Sequence, residues 1–249
     1  PLQNATTGEW TLRYEVKVTN GSAVQLGYHL DDTAAALPSG VTGGTWTATG
    51  PTETTGTGTI TPGWSGSGQL ATGLLPAGTS HTYTVTRTVR VAASVTDEVL
   101  TCSATPAGGT GLWNSAEVSN GVGRNDSDAC ITIDRPDVSI TKTETGTKQL
   151  VNGQWQITYA VVAKNESTEL AAVYSLADTV KFGGDIDVDS ASWTGPTSGT
   201  FAGASATLAT NRTLAKDASE TYTVTVLATV DSAAWDANAT LKCQAGDNP

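Results

Sequence analysis

Trp10, Leu12, Tyr14, Val16 and Val18 alternate with Thr11, Arg13, Glu15 and Lys17. A period of two places the apolar set on one face of a strand and the polar set on the other. The same alternation recurs at Trp155, Ile157, Tyr159, Val161 and Ala163, and at Val24, Leu26, Tyr28 and Leu30. It recurs again at Tyr83, Val85, Val89 and Val91, where Arg87 breaks the phase. Gly, Pro, Ser and Asn clusters separate these runs, as turns require. No long stretch shows a helical period. The pattern predicts an all-β protein, and several short alternating strands per unit fit an immunoglobulin-like sandwich.

The pattern is written twice. "GEWTLRYEVKVTN" at Gly8 matches "GQWQITYAVVAKN" at Gly153, and "YHLDDT" at Tyr28 matches "YSLADT" at Tyr174. The "GTW" ending at Trp46, "HTYTVT" at His81 and "LTC" ending at Cys102 match "ASW" ending at Trp193, "ETYTVT" at Glu220 and "LKC" ending at Cys243. The order is conserved between copies and the gaps fall in loops. The expected organisation is two tandem sandwiches, 1–135 and 136–249, joined by the stiff linker "IDRPDVSI". Both are expected to be truncated. The first copy starts too late for the strand around Val138–Lys142, and the second ends before a match to "GLWNSAEVSN". The chain reads as a window cut from a longer array.

Polar residues occupy core-facing phases on separate strands. Lys142 follows Val138 and Ile140; Asp32 follows Tyr28 and Leu30; Asp178 follows Tyr174 and Leu176; Asn114 lies among Leu112, Ala116 and Val118. An unpaired buried charge costs several kcal/mol, so each needs a partner. One arrangement satisfies all three types. A desolvated lysine loses its proton and becomes a nucleophile, while a carboxyl kept protonated polarises an amide carbonyl. The amine then displaces ammonia from the asparagine and leaves an isopeptide crosslink. The plainer alternative has Lys142 snorkelling from a strand end, Asp32 in a turn, and Asn114 bonded to backbone.

The set "SITKT", "Y.V.VTN", "L.DT", "G.S.TYTV" and "N.A.V" resembles the conserved repeat domain of bacterial and archaeal surface proteins known as domain of unknown function eleven. The resemblance covers nearly the whole chain. It implies a secreted, immunoglobulin-like cell-surface array of the kind found in adhesins and stalks. Related Cna-type adhesin domains carry Lys–Asn isopeptides assisted by an acidic residue. By that likeness Lys142 is the nucleophile, Asp178 or Asp32 the acid, and Asn114 the acceptor. Neither copy holds all three.

Cys102 and Cys130 flank "GLWNSAEVSN", and Cys243 matches Cys102. A Cys102–Cys130 disulfide with Cys243 left unpaired accounts for the three; reduced structural thiols are the alternative. A disulfide implies an oxidising, extracytoplasmic compartment. The formal net charge of -11 argues against nucleic acid and anionic membranes as partners. No apolar run reaches the roughly 18 residues of a membrane span.

Trp64 and Trp235 recur in neither partner copy. They are candidates for stacking on sugars, or for loops folded onto their own sheet. Asp185, Asp187 and Asp189 form a weak calcium motif without the glycine and closing glutamate of an EF-hand loop; a charged strand edge is the simpler reading. The sequons at Asn20 and Asn165 are expected by chance in so Thr-rich a chain. His29 and His81, the only histidines, are replaced by Ser175 and Glu220 in the second copy. No phosphate loop is present, and neither an enzyme nor a cofactor is expected. Two functions remain in view. One is a structural surface stalk, adhesin or fibre whose partners are neighbouring repeats or subunits, with strand donation as a variant. The other is a glycan- or host-binding module.

Overall fold

The structure is a computed structural model and describes residues 1–105 and 110–230. The chain divides into two compact units, Pro1–Arg135 and Pro136–Pro249. In the first, the strands are β1 (Leu2–Gln3), β2 (Trp10–Thr19), β3 (Leu26–Ala34), β4 (Val41–Gly43), β5 (Thr47–Thr49), β6 (Thr57–Ile60), β7 (Gln69–Leu75) and β8 (Ser80–Val91). The short helix α1 (Asp97–Leu100) and strands β9 (Leu112–Ser119) and β10 (Arg124–Ile131) complete it. The second holds β11 (Val138–Val151), β12 (Gln154–Asn165), β13 (Ala172–Thr179), β14 (Ile186–Thr194), β15 (Gly199–Phe201), β16 (Ser205–Leu214) and β17 (Ser219–Val230).

Unit 1 has two antiparallel sheets. One runs β1-β2-β8-β4, with β5 also on β8; the other runs β10-β9-β3-β7-β6. The inward residues of β2 and β8 face each other in register, as Tyr14↔Val85 and Val16↔Tyr83. Leu12, Leu30, Leu70, Tyr83, Val85, Leu100 and Ile133 are buried between the layers. Burying each such side chain stabilises the fold by about 1.5–3 kcal/mol before the entropy of ordering is counted. Arg87, the residue that breaks the phase of β8, lies outside this core with its guanidinium 5.4 Å from the centre of the Trp46 ring. Val24 does not join the inward face of β3: it precedes the strand and is 63% exposed. The residues around it turn at Asn20 and Ser22, which take its backbone out of the sheet.

Unit 2 repeats the plan with a sheet β11-β12-β17-β14-β15 and a second sheet β13-β16. Its core gathers Val161, Tyr174, Leu176, Leu208, Tyr222, Val224 and Val226. β11 runs well past Lys142 to Val151, with a register irregularity between Thr145 and Gln149. Along β11 only Val138 and Val151 are partly buried, and Ile140, expected to share the core-facing phase with Val138 and Lys142, is 56% exposed.

Each unit has a buried asparagine at the end of its β2-type strand. Asn20 Nδ2 donates to the carbonyls of Val24, Leu75 and Pro76, and its Oδ1 accepts from Ser22 N and Oγ. Asn165 does the same with Leu170, Leu214, Ala215 and Ser167 N. The sequons therefore have a physical cause: the asparagine pins a corner and the following serine closes it. Asn165→Ala strips a donor from several partly buried carbonyls and is expected to destabilise unit 2 by about 2–3 kcal/mol. Urea unfolding checks this, and an unchanged midpoint would dismiss the corner as incidental.

Candidate functional site

In unit 2, Lys142 lies opposite Val161 in the β11–β12 ladder. Directly opposed residues of an antiparallel pair share a face, and Val161 is buried. The lysine therefore points inward, from a position well inside β11 rather than from a strand end. It crosses to the other sheet, where its Nζ lies 2.6 Å from Asp178 Oδ1 on β13. The two side chains are 27% and 6% exposed. The ammonium also lies 4.7 Å from the centre of the Tyr159 ring, a cation–π distance. Asp178 Oδ2 is buried and accepts no hydrogen bond.

Unit 1 holds the complementary half. Asp32 on β3 and Asn114 on β9 are 0% and 2% exposed. Asn114 pairs across the ladder with Ala34, which places it diagonally beside Asp32 on the same face. Its Nδ2 donates to Asp32 Oδ2 at 2.8 Å. Asp32 is thus a strand residue rather than a turn residue, and Asn114 bonds to a side chain rather than to backbone. Asp32 Oδ1 and Asn114 Oδ1 are both buried without a partner. Burial raises the Asp32 carboxyl from its ordinary 3.8 to about 6, against the lowering effect of the Asn114 hydrogen bond. Tyr14, the counterpart of Tyr159, reaches the same place. Its hydroxyl donates to Leu112 O at 2.9 Å, and burial followed by the Asp32 charge pushes its pKa up.

Asp32 and Asp178 are counterparts: in unit 2 the aspartate on β13 meets a lysine from β11, and in unit 1 the aspartate on β3 meets an asparagine from β9. The tyrosine that floors the site was not singled out by its chemistry, although its recurrence as Tyr14 and Tyr159 was a signal for it.

A second polar cluster ties the sheets together. Tyr28 Oη lies 2.6 Å from Tyr83 Oη and 2.8 Å from His81 Nδ1, while His81 Nε2 lies 2.8 Å from the Thr55 carbonyl. A carbonyl can only accept, so Nε2 donates; with a neutral ring Nδ1 then accepts from Tyr28, whose oxygen in turn accepts from Tyr83. In unit 2, Glu220 replaces the histidine. It accepts from Arg212 at 2.7 and 2.9 Å and from Tyr174.

Cys102 and Cys130 form a disulfide. Gly111, at φ 82°, packs against it; a Cβ there would come within 2.6 Å of Cys130 Sγ. Trp64 is half-buried, and its indole N–H is buried without a partner. Its loop is folded inward: Gly66, at φ 106°, lies so close to Trp46 that a Cβ would overlap the indole ring. Asp187 and Asp189 are exposed on β14, with Asp189 accepting from the Thr229 hydroxyl, and Asp185 precedes the strand. No group of three or more His, Cys, Asp or Glu is placed to hold a metal among the described residues. No helix among them is long and apolar enough to cross a membrane. Trp235 and Cys243 lie outside the described residues. No model of a known protein family matches this chain, and no curated protein matches it in sequence.

Proposed function

We propose that the chain is a structural segment of an extracellular surface protein, a stalk, adhesin or fibre. In this reading its immunoglobulin-like units are locked by lysine–asparagine isopeptides. One observation carries the reading: the two units hold complementary halves of a single lysine–aspartate–asparagine site. Asp32, Asn114 and Asp178 each keep a buried side-chain oxygen without a partner, as half-filled sites would. The disulfide supports an oxidising compartment. The resemblance to surface-protein repeats agrees with both.

The chemistry balances without an added reagent. The lysine ammonium passes one proton to the aspartate, whose buried carboxyl favours the neutral form. The free amine attacks the asparagine Cγ while the protonated carboxyl hydrogen-bonds the carbonyl oxygen. The C–N bond to the amide nitrogen breaks, a proton from the attacking amine moves to that nitrogen, and ammonia leaves. A neutral amide and a neutral carboxyl remain, which removes the penalty of a buried ion pair.

The test is a chain in which a copy of residues 136–148 replaces Pro1. Leu2 pairs with Thr11 as Gln149 pairs with its counterpart Gln156, so this extension brings the copied lysine opposite Val16. The intact mass is expected to fall by one ammonia. Alanine at the copied lysine or at Asp32 should restore the missing mass. A folded extended chain of unmodified mass would end the crosslink reading.

A further inference from the structure

Gly27 and His29 point away from the core of unit 1, because they alternate with the buried Tyr28 and Leu30. Across the ladder His29 stands opposite Thr72, and Thr72 opposite Thr59. Gly27 stands opposite Leu74, and Leu74 opposite Thr57. Opposed residues share a face, so both rows lie on the outer side of the β10-β9-β3-β7-β6 sheet. With the Asn120–Gly121 turn they line a groove of about 490 Å³, within the size range of small-molecule sites. No side chain fills it at Gly27, and Leu74 beside it is 46% exposed. The inward residues Tyr28 and Leu30 recur in unit 2 as Tyr174 and Leu176, whereas Gly27 and His29 are replaced by Val173 and Ser175. The fold itself therefore requires neither the glycine nor the histidine.

We propose that this groove binds a neutral saccharide. The inference stands apart from the lysine–asparagine reading and shares no residue with it. Among the described residues, the hydroxyls of Thr57, Thr59 and Thr72 and the ring of His29 make no hydrogen bond within the protein. Asn120 Oδ1 accepts from Val122 N and Gly123 N, which leaves its amide N–H groups to donate. Donors and acceptors thus lie side by side, as a ligand covered in hydroxyls requires, since each hydroxyl both donates and accepts. Leu74 gives the apolar ground on which the C–H face of a sugar ring can rest. No carboxylate, ammonium or guanidinium lines the groove, in a chain whose formal net charge is -11. A charged ligand would give up water there without meeting a counter-ion, so the class that fits is neutral. The lining offers no exposed aromatic ring for stacking, so the affinity expected is weak, about millimolar.

The experiment titrates the isotope-labelled, full 249-residue chain with cellohexaose, maltohexaose and, as the charged control, hexagalacturonate, each to about 10 mM. Backbone amide NMR shifts read both affinity and place. Expected are shifts at Gly27, His29, Leu74 and Gly121 with at least one neutral sugar, and none there with hexagalacturonate. Gly27→Val puts the unit 2 residue into the groove. An added Cβ at Gly27 would meet Leu74 Cδ2 at 3.6 Å, an ordinary contact, so the urea midpoint should stay while binding weakens about tenfold or more. His29→Ser, the other unit 2 residue, should also weaken binding. Absence of shifts at these amides with both neutral sugars would overturn the proposal. So would undiminished binding by the Gly27→Val chain, or binding of hexagalacturonate in the groove as tight as that of the neutral sugars. Should Gly27→Val lower the midpoint, the exposed His29→Ser substitution decides alone, and undiminished binding there overturns the proposal.

Discussion

Loss of the Cys102–Cys130 disulfide is expected to lower the stability of unit 1 by about 3–4 kcal/mol, the chain-entropy value for a loop of this length. The bridge spans a sequence separation of 28. That loop contains all of β9, including Asn114, and most of β10. β10 is an edge strand whose residues are largely exposed, so burial does little to hold it. The other anchor, Cys102, follows α1, whose Leu100 is fully buried. Among the described residues, Cys102 N donates to Thr132 Oγ1, Ile133 N to Leu100 O, and Gly111 N to Val99 O. β9 is held to the core by its ladder with β3, and the disulfide adds the covalent tie that fastens β10 to the segment after α1. Denaturant unfolding of the chain and of a Cys102→Ser/Cys130→Ser variant measures the effect. The unit 1 transition should move and the unit 2 transition should stay. Coincident curves would show that packing alone holds the hairpin. The same reduction should loosen Asn114 against Asp32, because Ala129, the residue before Cys130, pairs directly with Asn114.

What could be read in the sequence followed the strength of its periodicity. β2, β8, β12 and β17 are long strands with one buried face, and their alternation declared both their existence and their inward residues. The same phase argument exposed Lys142, Asp32, Asp178 and Asn114, because a polar residue in a buried phase is an anomaly against a regular background. β4, β5 and β6 were illegible, since three- and four-residue strands in Gly- and Thr-rich sequence carry no period. Val24 misled for a related reason: a run of alternating residues does not mark where the chain leaves the sheet. Periodicity within a strand also cannot say which strands meet across the core. That Lys142 points towards Asp178 was expected from two polar residues in core-facing phases together with the resemblance, and the structure has the contact; the tyrosine beside them depends on sheet pairing, which only three dimensions supply. Asn20 and Asn165 were hidden by composition, because a structural asparagine followed by serine looks like a chance sequon.

Replacing Asp32 by asparagine is expected to stabilise unit 1 at neutral pH, by up to about 3 kcal/mol. The carboxyl is fully buried, with one oxygen bonded to Asn114 and the other unpartnered. Its pKa is raised from 3.8 to about 6, chiefly by desolvation. In the unfolded chain the group loses its proton as pH rises through 3.8, while in the folded chain it holds the proton until about 6. The folded state binds more protons over that window, so stability is greatest below it and falls as pH rises through it. A shift of about two units corresponds to about 3 kcal/mol. An asparagine is neutral throughout. Its amide can accept from Asn114 Nδ2 and donate to the unpaired Asn114 Oδ1, so the variant should lose the pH slope as well as gain stability. The comparison is urea unfolding of wild type and Asp32→Asn at pH 4 and pH 7. The gain should be near zero at the lower pH and near its maximum at the higher. A gain independent of pH would mean that the carboxyl is not the source. A carboxylate that weakens its own fold, beside an amide left half-bonded, makes physical sense where a cation is to arrive. In the extended chain the sign should therefore reverse: asparagine at position 32 should forfeit both the lysine and the crosslink, and the wild-type residue should be the more stable.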